Sequence, residues 1–172
     1  MSETKVKKRG IKMSETKEKK KIYLAGSCAT EQRTDMVRIA KYLRIRGFEV
    51  YCPFELKIPD AWDMSQEAWA QKVFDADTKA IDECDIFFMV SPGRESTAGT
   101  NWEQGYAYAK GKRIIVVQYT DKPTSLMTYC GCNNFYNYNS VKELCDNLYW
   151  IFGSEKEGFS YFCQTGCKTT LT

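Results

Sequence analysis

Apolar residues along the chain fall into short continuous runs that alternate with helically spaced positions. The run Lys21–Gly26 ends in glycine and predicts a strand, whereas Val37, Ala40 and Leu43 recur at the spacing of a helix. The run 85–90 is continuously apolar, which is typical of a parallel strand buried on both faces. The predicted elements are strands over 21–26, 48–52, 85–90 and 113–118, and helices from Thr34 or Asp35 to Gly47 and over about 66–81, 101–110 and 141–152.

Strands that alternate with helices indicate an α/β fold with a doubly wound (Rossmann/flavodoxin-like) parallel sheet of about five strands and helices on both faces. The stretches 55–65 and 119–139 are predicted to be irregular. Ligands of such sheets bind beyond the carboxyl ends of the strands. We therefore expect the loops after Ala25, Val90 and Gln118 to matter most for function.

Charge and length favour one acidic domain behind a basic tail. The chain has 172 residues and a net charge of +3. Residues 1–21 carry nine Lys or Arg and three Glu, so the remainder carries −3 and offers no basic face for a nucleic-acid polymer. We expect a disordered tail over 1–20 and a single domain over 21–172. A functional basic arm is the alternative for the tail.

The histidine and cysteine content of the chain limits the catalytic and metal-binding chemistry that it can support. The sequence has no histidine, which excludes His-based acid–base catalysis and His-ligated metals, so carboxylates, tyrosines or water must move protons. Cys130 and Cys132 with Cys163 and Cys167 form a zinc site only if the fold joins the pairs, and neither spacing is the usual C-x-x-C. No metal or organic cofactor is implied. No apolar run is long enough to cross a membrane and no secretory signal is present, which predicts a cytoplasmic protein.

The block Gly99-Thr-x-x-Glu103-x-Gly-Tyr-Ala-x-Ala-x-Gly-Lys112 is the most informative stretch. It places Glu103 near the start of a predicted helix, where the positive end of the helix dipole keeps a carboxylate ionised near neutral pH, as a nucleophile must be. The alternative is structural. Thr100-x-x-Glu103 also fits a capping box, in which the glutamate bonds only to the backbone of the cap residue.

Two further segments join this block in a family pattern. They are Tyr23-Leu-Ala-Gly26 in the first strand, and Asp77 ahead of Ala80-Ile-Asp-Glu-Cys-Asp-Ile. Together the three resemble the nucleoside 2-deoxyribosyltransferase family over about residues 21–134. The G-x-G-x-x-G signature of dinucleotide-binding folds is absent after the first strand.

The resemblance implies a role for each matched residue. Glu103 corresponds to the nucleophile, which attacks C1′ and forms a covalent deoxyribosyl ester that a second base or water opens. Asp77 corresponds to the residue that handles the proton of the leaving base, and Tyr23 to one that orients the nucleophile. Structural alternatives are a surface aspartate for Asp77 and a core side chain for Tyr23.

One departure from the family pattern bears on the substrate. Many transferases of the family carry an aspartate where this chain has Thr97. Thr97 and the pair Gly26-Ser27 are closer to the related 2′-deoxynucleoside 5′-phosphate N-hydrolases, whose hydroxyls bind the 5′-phosphate. Arg33 is a further candidate for that phosphate. The resemblance places Gly26, Ser27, Thr97 and Gly99 beside the sugar and its 5′ end.

The segment 125–134 resembles one that a neighbouring subunit lends to the active site, with Asn133 or Asn134 reaching the 5′ end of the sugar; a turn is the alternative for this pair. Such lending predicts a homo-oligomer.

Trp62, Trp69 and Trp102 are candidates for stacking on the base or for core packing. The predicted partners are a nucleoside or nucleotide and a free nucleobase. Alternatives are a deoxynucleoside monophosphate hydrolase and a non-catalytic nucleotide-binding module.

Overall fold

The structure is a computed structural model that describes residues 19–27, 30–91, 93 and 98–153. Strands and helices alternate along these residues, as the sequence predicts. None of the helices in these ranges is long and apolar enough to span a membrane. The elements are β1 Lys21–Gly26, α1 Thr30–Ile45, β2 Glu49–Tyr51, α2 Gln66–Glu83, β3 Ile86–Ser91, α3 Ala98–Ala109, β4 Arg113–Gln118, α4 Leu126–Cys130, β5 Asn134–Asn137 and α5 Val141–Gly153.

The five strands form one parallel sheet in the order β2-β1-β3-β4-β5. This is the flavodoxin-like order, and its topological switch point lies between β1 and β3. The predicted doubly wound α/β fold with about five strands is therefore confirmed. The bounds predicted for β1 and β4 match those observed.

Alternation along the central strands divides the core into two layers. Leu24 and Phe88 face α1 and α5, whereas their neighbours Tyr23 and Phe87 face α2 and α3. Side chains of a strand point alternately to opposite faces, so each central strand serves both layers. Each of these four side chains is fully buried.

Several predicted boundaries are wrong. Helix α1 begins at Thr30, before the predicted caps Thr34 and Asp35, and α3 begins at Ala98 instead of near Asn101. Helix α2 extends to Glu83, beyond the predicted end at residue 81. The stretch 119–139 was predicted to be irregular, but it contains α4 and the edge strand β5. The stretch 55–65 includes only the end of one short 3-10 turn and the whole of another.

Candidate functional site

Three aromatic rings on neighbouring strands form the floor of the candidate site. Register places Tyr23 of β1 opposite Tyr51 of β2 and Phe87 of β3. The ring centroids of Tyr23 lie 5.4 Å from Tyr51 and 5.3 Å from Phe87, and both pairs are stacked. Such contacts lock each ring in one orientation. The row therefore presents two tyrosine hydroxyls at fixed positions to the helices that cover it.

Helix α2 places Asp77 above this floor. The helix starts at the cap residue Ser65, whose hydroxyl accepts a hydrogen bond from the Ala68 amide at 3.2 Å. Asp77 is half-buried, and its Oδ1 accepts a hydrogen bond from the Tyr51 hydroxyl at 2.8 Å. The interpretation of Asp77 as a freely exposed surface residue does not fit this burial and this contact.

Helix α3 brings Glu103 to the same place. Because α3 already begins at Ala98, Thr100 lies within its first turn and is not the residue that caps it. The Thr100 hydroxyl donates to the Gly26 carbonyl at 3.2 Å, which ties α3 to the end of β1. The first turn of α3 holds no acidic residue, so Glu103 belongs to the second turn. The capping-box interpretation is therefore wrong.

Burial and mutual repulsion shape the electrostatics of the two carboxyls. Burial, and next the negative charge of Asp77, raise the pKa of Glu103 to about 7, although the nearby Tyr23 hydroxyl lowers it. Burial also raises the pKa of Asp77, against the lowering effect of its hydrogen bond from Tyr51. We expected the helix dipole to keep Glu103 fully ionised near neutral pH. That expectation is wrong because the dipole acts mainly on the first turn, whereas burial of Glu103 favours its neutral form.

The Tyr23 hydroxyl is buried against the sheet and makes no hydrogen bond of normal length within the described ranges. The Glu103 carboxylate lies close enough to raise the pKa of Tyr23, which burial raises still more. A buried hydroxyl without a partner is destabilising, since its hydrogen bonds to water are lost on folding. The Tyr23 hydroxyl is therefore available to donate a hydrogen bond to the neighbouring Glu103 carboxylate.

A cleft of about 420 Å³ opens between α2 and α3 and contains both carboxyls. Three of its nine lining residues are aromatic. Trp69 is 40% exposed, Phe74 49% and Trp102 48%, and the rings of Phe74 and Trp102 lie 5.2 Å apart. The cleft is lined by Trp69, Ala70, Val73, Phe74, Asp77, Thr78, Gly99, Trp102 and Glu103.

The glycines and hydroxyls predicted for the sugar side lie at the carboxyl end of β1 and the start of α3. Gly99 lines the cleft, and a Cβ at this position would meet open space. At Gly26 a Cβ would come within 2.5 Å of the flexible end of the Met36 side chain, which would have to shift to make room. Ser27 is buried directly after Gly26. Thr97 lies outside the described residues.

The asparagine pair lies away from these residues. Asn133 and Asn134 stand at the amino end of β5, whereas ligands of such sheets bind at the carboxyl ends. Asn133 Oδ1 accepts a hydrogen bond from the backbone N–H of Ile114 at 2.7 Å. The backbone N–H of Asn133 donates in turn to the Ile114 carbonyl at 2.8 Å. Within one chain these contacts fix β5 to β4. The predicted role at a neighbouring subunit stays a prediction.

The remaining candidates differ in their placement. Trp69 and Trp102 line the cleft, whereas Trp62 is fully exposed in a short 3-10 turn. Arg33 is exposed on α1. Cys130 and Cys132 carry free thiols, while Cys163 and Cys167 lie outside the described residues. Within the described ranges, no group of three or more potential metal ligands is found.

Sequence reasoning missed Tyr51 and, among the residues that line the cleft, Ala70, Val73, Phe74 and Thr78. Tyr51 is the last residue of a three-residue strand, and only the pairing of β2 with β1 brings it next to Tyr23. The usable signal was its position at a strand's carboxyl end. Phe74 lies one helical turn before Asp77, so a helix that presents Asp77 to a cleft also presents Phe74.

Comparison with known proteins places the chain in a family. A family model described as nucleoside 2-deoxyribosyltransferase matches residues 22–160. A search of curated proteins gives no significant match.

Two solved structures share both the fold and more than a quarter of the aligned sequence. A 2-deoxyribosyltransferase from Bacillus psychrosaccharolyticus is 28% identical, with a TM-score of 0.63 over 73% of this chain and 90% of that chain. A CMP N-glycosidase from Clostridium botulinum is 26% identical, with a TM-score of 0.53 over 75% of this chain and 98% of that chain. A conserved protein from Enterococcus faecalis, 20% identical over 78% of this chain and 99% of that chain, shares the fold with a TM-score of 0.59.

Proposed function

This chain belongs to the nucleoside 2-deoxyribosyltransferase family, and from that membership we propose that it cleaves the N-glycosidic bond of a deoxynucleoside and transfers the 2-deoxyribosyl group to another base. The observation that carries the proposal is the pair Glu103 and Asp77, two carboxyls with raised pKa values in one aromatic cleft. Titratable groups perturbed by burial and by each other are typical of catalytic sites.

In the first step, a Glu103 oxygen attacks C1′ of the sugar. A C1′–O bond forms and the C1′–N bond breaks, and its electron pair moves to the nitrogen of the base. The carboxyl of Asp77 gives its proton to the departing base. The product is a deoxyribosyl ester of Glu103, and its formation through an oxocarbenium-like transition state divides one difficult displacement into two easier steps.

In the second step, a nitrogen of the incoming base attacks C1′ from the side that the first base left. The ester C1′–O bond breaks, its electron pair returns to the Glu103 carboxylate, and Asp77 takes the proton of the incoming base. Both halves use the same two carboxyls in opposite protonation roles, as microscopic reversibility requires. Tyr23, whose hydroxyl lies beside Glu103, orients the nucleophile.

The reactive form needs Glu103 ionised while Asp77 carries a proton. Burial and mutual repulsion disfavour a state in which both carboxyls are ionised. The pair therefore keeps one proton at a higher pH than two carboxyls in water would. Because the larger rise in pKa is at Glu103, the shared proton of the free cleft lies mainly on Glu103, and the reactive form is the arrangement in which Asp77 holds it instead. Burial thus supplies a proton donor without a histidine.

The aromatic wall suits a planar base. Trp69 and Phe74 of α2 and Trp102 of α3 present half-exposed rings to the cleft. Aromatic faces stack on any nucleobase, at about 1–3 kcal/mol per stacked base. The sugar would then point toward Gly99, Gly26 and Ser27, and the family resemblance assigns Thr97 to its 5′ end. Completion of that end by Asn133 or Asn134 of a second subunit is part of the proposal and makes the enzyme a homo-oligomer.

A second candidate is hydrolysis of a nucleoside 5′-monophosphate, with water in place of the incoming base. It is favoured by the similarity to the CMP N-glycosidase and by the hydroxyl of Thr97 in place of an aspartate. The chemistry of the first step is the same. The two candidates differ in what opens the ester and in whether a 5′-phosphate improves kcat/KM.

The test uses purified chain with a deoxynucleoside plus a different free base, and separately with nucleoside 5′-monophosphates, with products separated by chromatography. We expect a new nucleoside to appear with the first mixture. Glu103→Gln should lower the rate at least about 10³-fold, and Asp77→Asn about 10²–10⁴-fold. Glu49→Gln, an exposed glutamate on β2, is the matched control and should leave the rate unchanged.

Release of free base from monophosphates alone would replace the transferase assignment with the hydrolase. Turnover of neither substrate class by the unsubstituted chain, or full activity of Glu103→Gln, would contradict the proposed function.

A further inference from the structure

Tyr51 contacts Asp77 in a way that the mechanism above leaves unused. Its hydroxyl donates to Asp77 Oδ1 at 2.8 Å, and this is the side-chain hydrogen bond that the structure gives Asp77 within the described ranges. The contact joins β2 to α2 across 26 sequence positions. Asp77 lines the cleft together with Glu103, and the bond from Tyr51 occupies only one of its two carboxyl oxygens.

The Tyr51 ring is itself held in place. It stacks on Tyr23 with centroids 5.4 Å apart and planes 21° apart, and Tyr23 stacks in turn on Phe87 with centroids 5.3 Å apart and planes 8° apart. The strand register that aligns the three rings is set by the backbone of the sheet. A hydroxyl on such a support fixes its acceptor more firmly than one on a mobile side chain, because little rotamer freedom remains to be lost.

From these contacts we infer that Tyr51 is a positioning residue, which holds Asp77 so that one carboxyl oxygen faces the base and which sets the proton affinity of that carboxyl. The inference rests on the proposed function and deepens it. Asp77 must give and take a proton in alternate half-reactions, so its orientation and its proton affinity both matter to the rate.

The groups around Asp77 fix the direction of the effect. Glu103 of α3 and Tyr23 and Tyr51 of β1 and β2 are the titratable side chains that surround it in the described ranges. Burial raises the pKa of Asp77, and the Tyr51 hydrogen bond lowers it. Burial, and then its bond to Asp77, raise the pKa of Tyr51 itself, so the hydroxyl remains a donor throughout the working pH range.

The test is Tyr51→Phe, which removes the hydroxyl and keeps the ring and its stacking. The first readout is independent of turnover: the pKa of Asp77 measured by carbon NMR of carboxyl-labelled protein, with the signal assigned by its loss in Asp77→Asn. We expect the pKa of Asp77 to rise in Tyr51→Phe. Tyr108→Phe, on an exposed part of α3, is the matched control and should leave it unchanged.

The second readout is the pH dependence of base exchange. We expect Tyr51→Phe to lower kcat about 10- to 100-fold, the effect of one hydrogen bond to a charged group, with KM changed less than about twofold because no contact to substrate is lost. The limb of the pH profile that reports Asp77 should move to higher pH.

An unchanged pKa of Asp77 in Tyr51→Phe would overturn the inference. So would a fall in kcat with no shift of the pH profile, since a merely structural role lowers the amount of active enzyme without changing its titration. If the unsubstituted chain turns over no substrate, the proposed function fails, while the NMR titration still decides whether Tyr51 sets the proton affinity of Asp77.

Discussion

The α1–α5 face and the α2–α3 face of the sheet are built from alternate residues of the same strands. On the first, Leu24 and Phe88 belong to a cluster of buried, mainly aliphatic and aromatic side chains, and Phe88 meets Phe152 edge-on at 5.1 Å. On the second, the same strands supply Tyr23, with a buried unpaired hydroxyl, and α3 supplies Glu103, whose pKa is raised to about 7. Both faces bury apolar side chains that stabilise the fold, but the second also holds polar groups that burial disfavours.

This contrast indicates how a sheet of this kind supports chemistry. Burial of apolar surface on the α1–α5 face stabilises the protein by about 25 cal/mol per Å². That stabilisation offsets the unfavourable burial of Tyr23, Asp77 and Glu103 on the opposite face. Three substitutions separate the two faces, and those at Leu24 and Glu103 are each paired with one at an exposed control position.

The largest effect is expected from Leu24→Ala on the α1–α5 face. Leu24 is fully buried, so the substitution leaves a cavity and should lower the free energy of unfolding by about 2–5 kcal/mol, measured by urea denaturation. Ile45→Ala, at an exposed position at the end of α1, should change it by less than about 0.5 kcal/mol. Equal losses at the two positions would contradict the division of the core.

Glu103→Gln is expected to change the free energy of unfolding by less, and to raise it above neutral pH. The pKa of Glu103 is about 7 in the folded protein and 4.5 as its reference, so the folded state binds the proton more tightly and stability falls as pH rises between these values. Glutamine removes that loss. At pH 8 the variant should be more stable by about 1–3 kcal/mol, and at pH 4 equally stable. For Glu49→Gln, the difference in stability from the unsubstituted chain should be the same at both pH values. If Glu103→Gln also gave the same difference at pH 8 and pH 4, the raised pKa of Glu103 would be refuted.

The smallest effect is expected from Tyr23→Phe, next in sequence to Leu24 but facing the site. The variant removes a buried hydroxyl that lies beside Glu103 but makes no hydrogen bond of normal length in the described ranges. Measured at pH 5, where Glu103 is mostly protonated, its free energy of unfolding should stay the same or rise by up to about 1 kcal/mol. A loss comparable to that of Leu24→Ala would contradict this, because it would show that the Tyr23 hydroxyl makes a strongly stabilising contact.

The sequence predicted best the elements whose local pattern agrees with their packing. The apolar run of β4 is buried at five of its six positions, and its bounds were predicted correctly. The edge strand β5 was missed because its residues are only half-buried and asparagine stands at both ends, a composition that disfavours strands. The start of α3 was missed because Gly99 and Thr100 are poor helix formers, and the hydrogen bond from Thr100 to Gly26 is a tertiary contact.

Some features of the candidate site were likewise predicted from the sequence, whereas others depend on tertiary contacts. Glu103, Asp77 and Tyr23 were identified through a family pattern in the sequence, and the structure brings them together at one cleft. The partnership of Tyr51 with Asp77 depends on β2 lying beside β1, which no local pattern specifies. The protonation of Glu103 depends on burial and on a neighbouring charge, so a helix-dipole argument from sequence gave the wrong direction.

The central claim is that Glu103 becomes covalently bound to the sugar. It is tested most directly by mixing the enzyme with a deoxynucleoside in the absence of an acceptor base, quenching in acid and measuring the mass of the peptide over 98–110. We predict an added mass of one deoxyribosyl group on Glu103, removed when a free base is supplied before the quench and absent in Glu103→Gln. Base release at full rate in Glu103→Gln, or an adduct on a different residue, would contradict it.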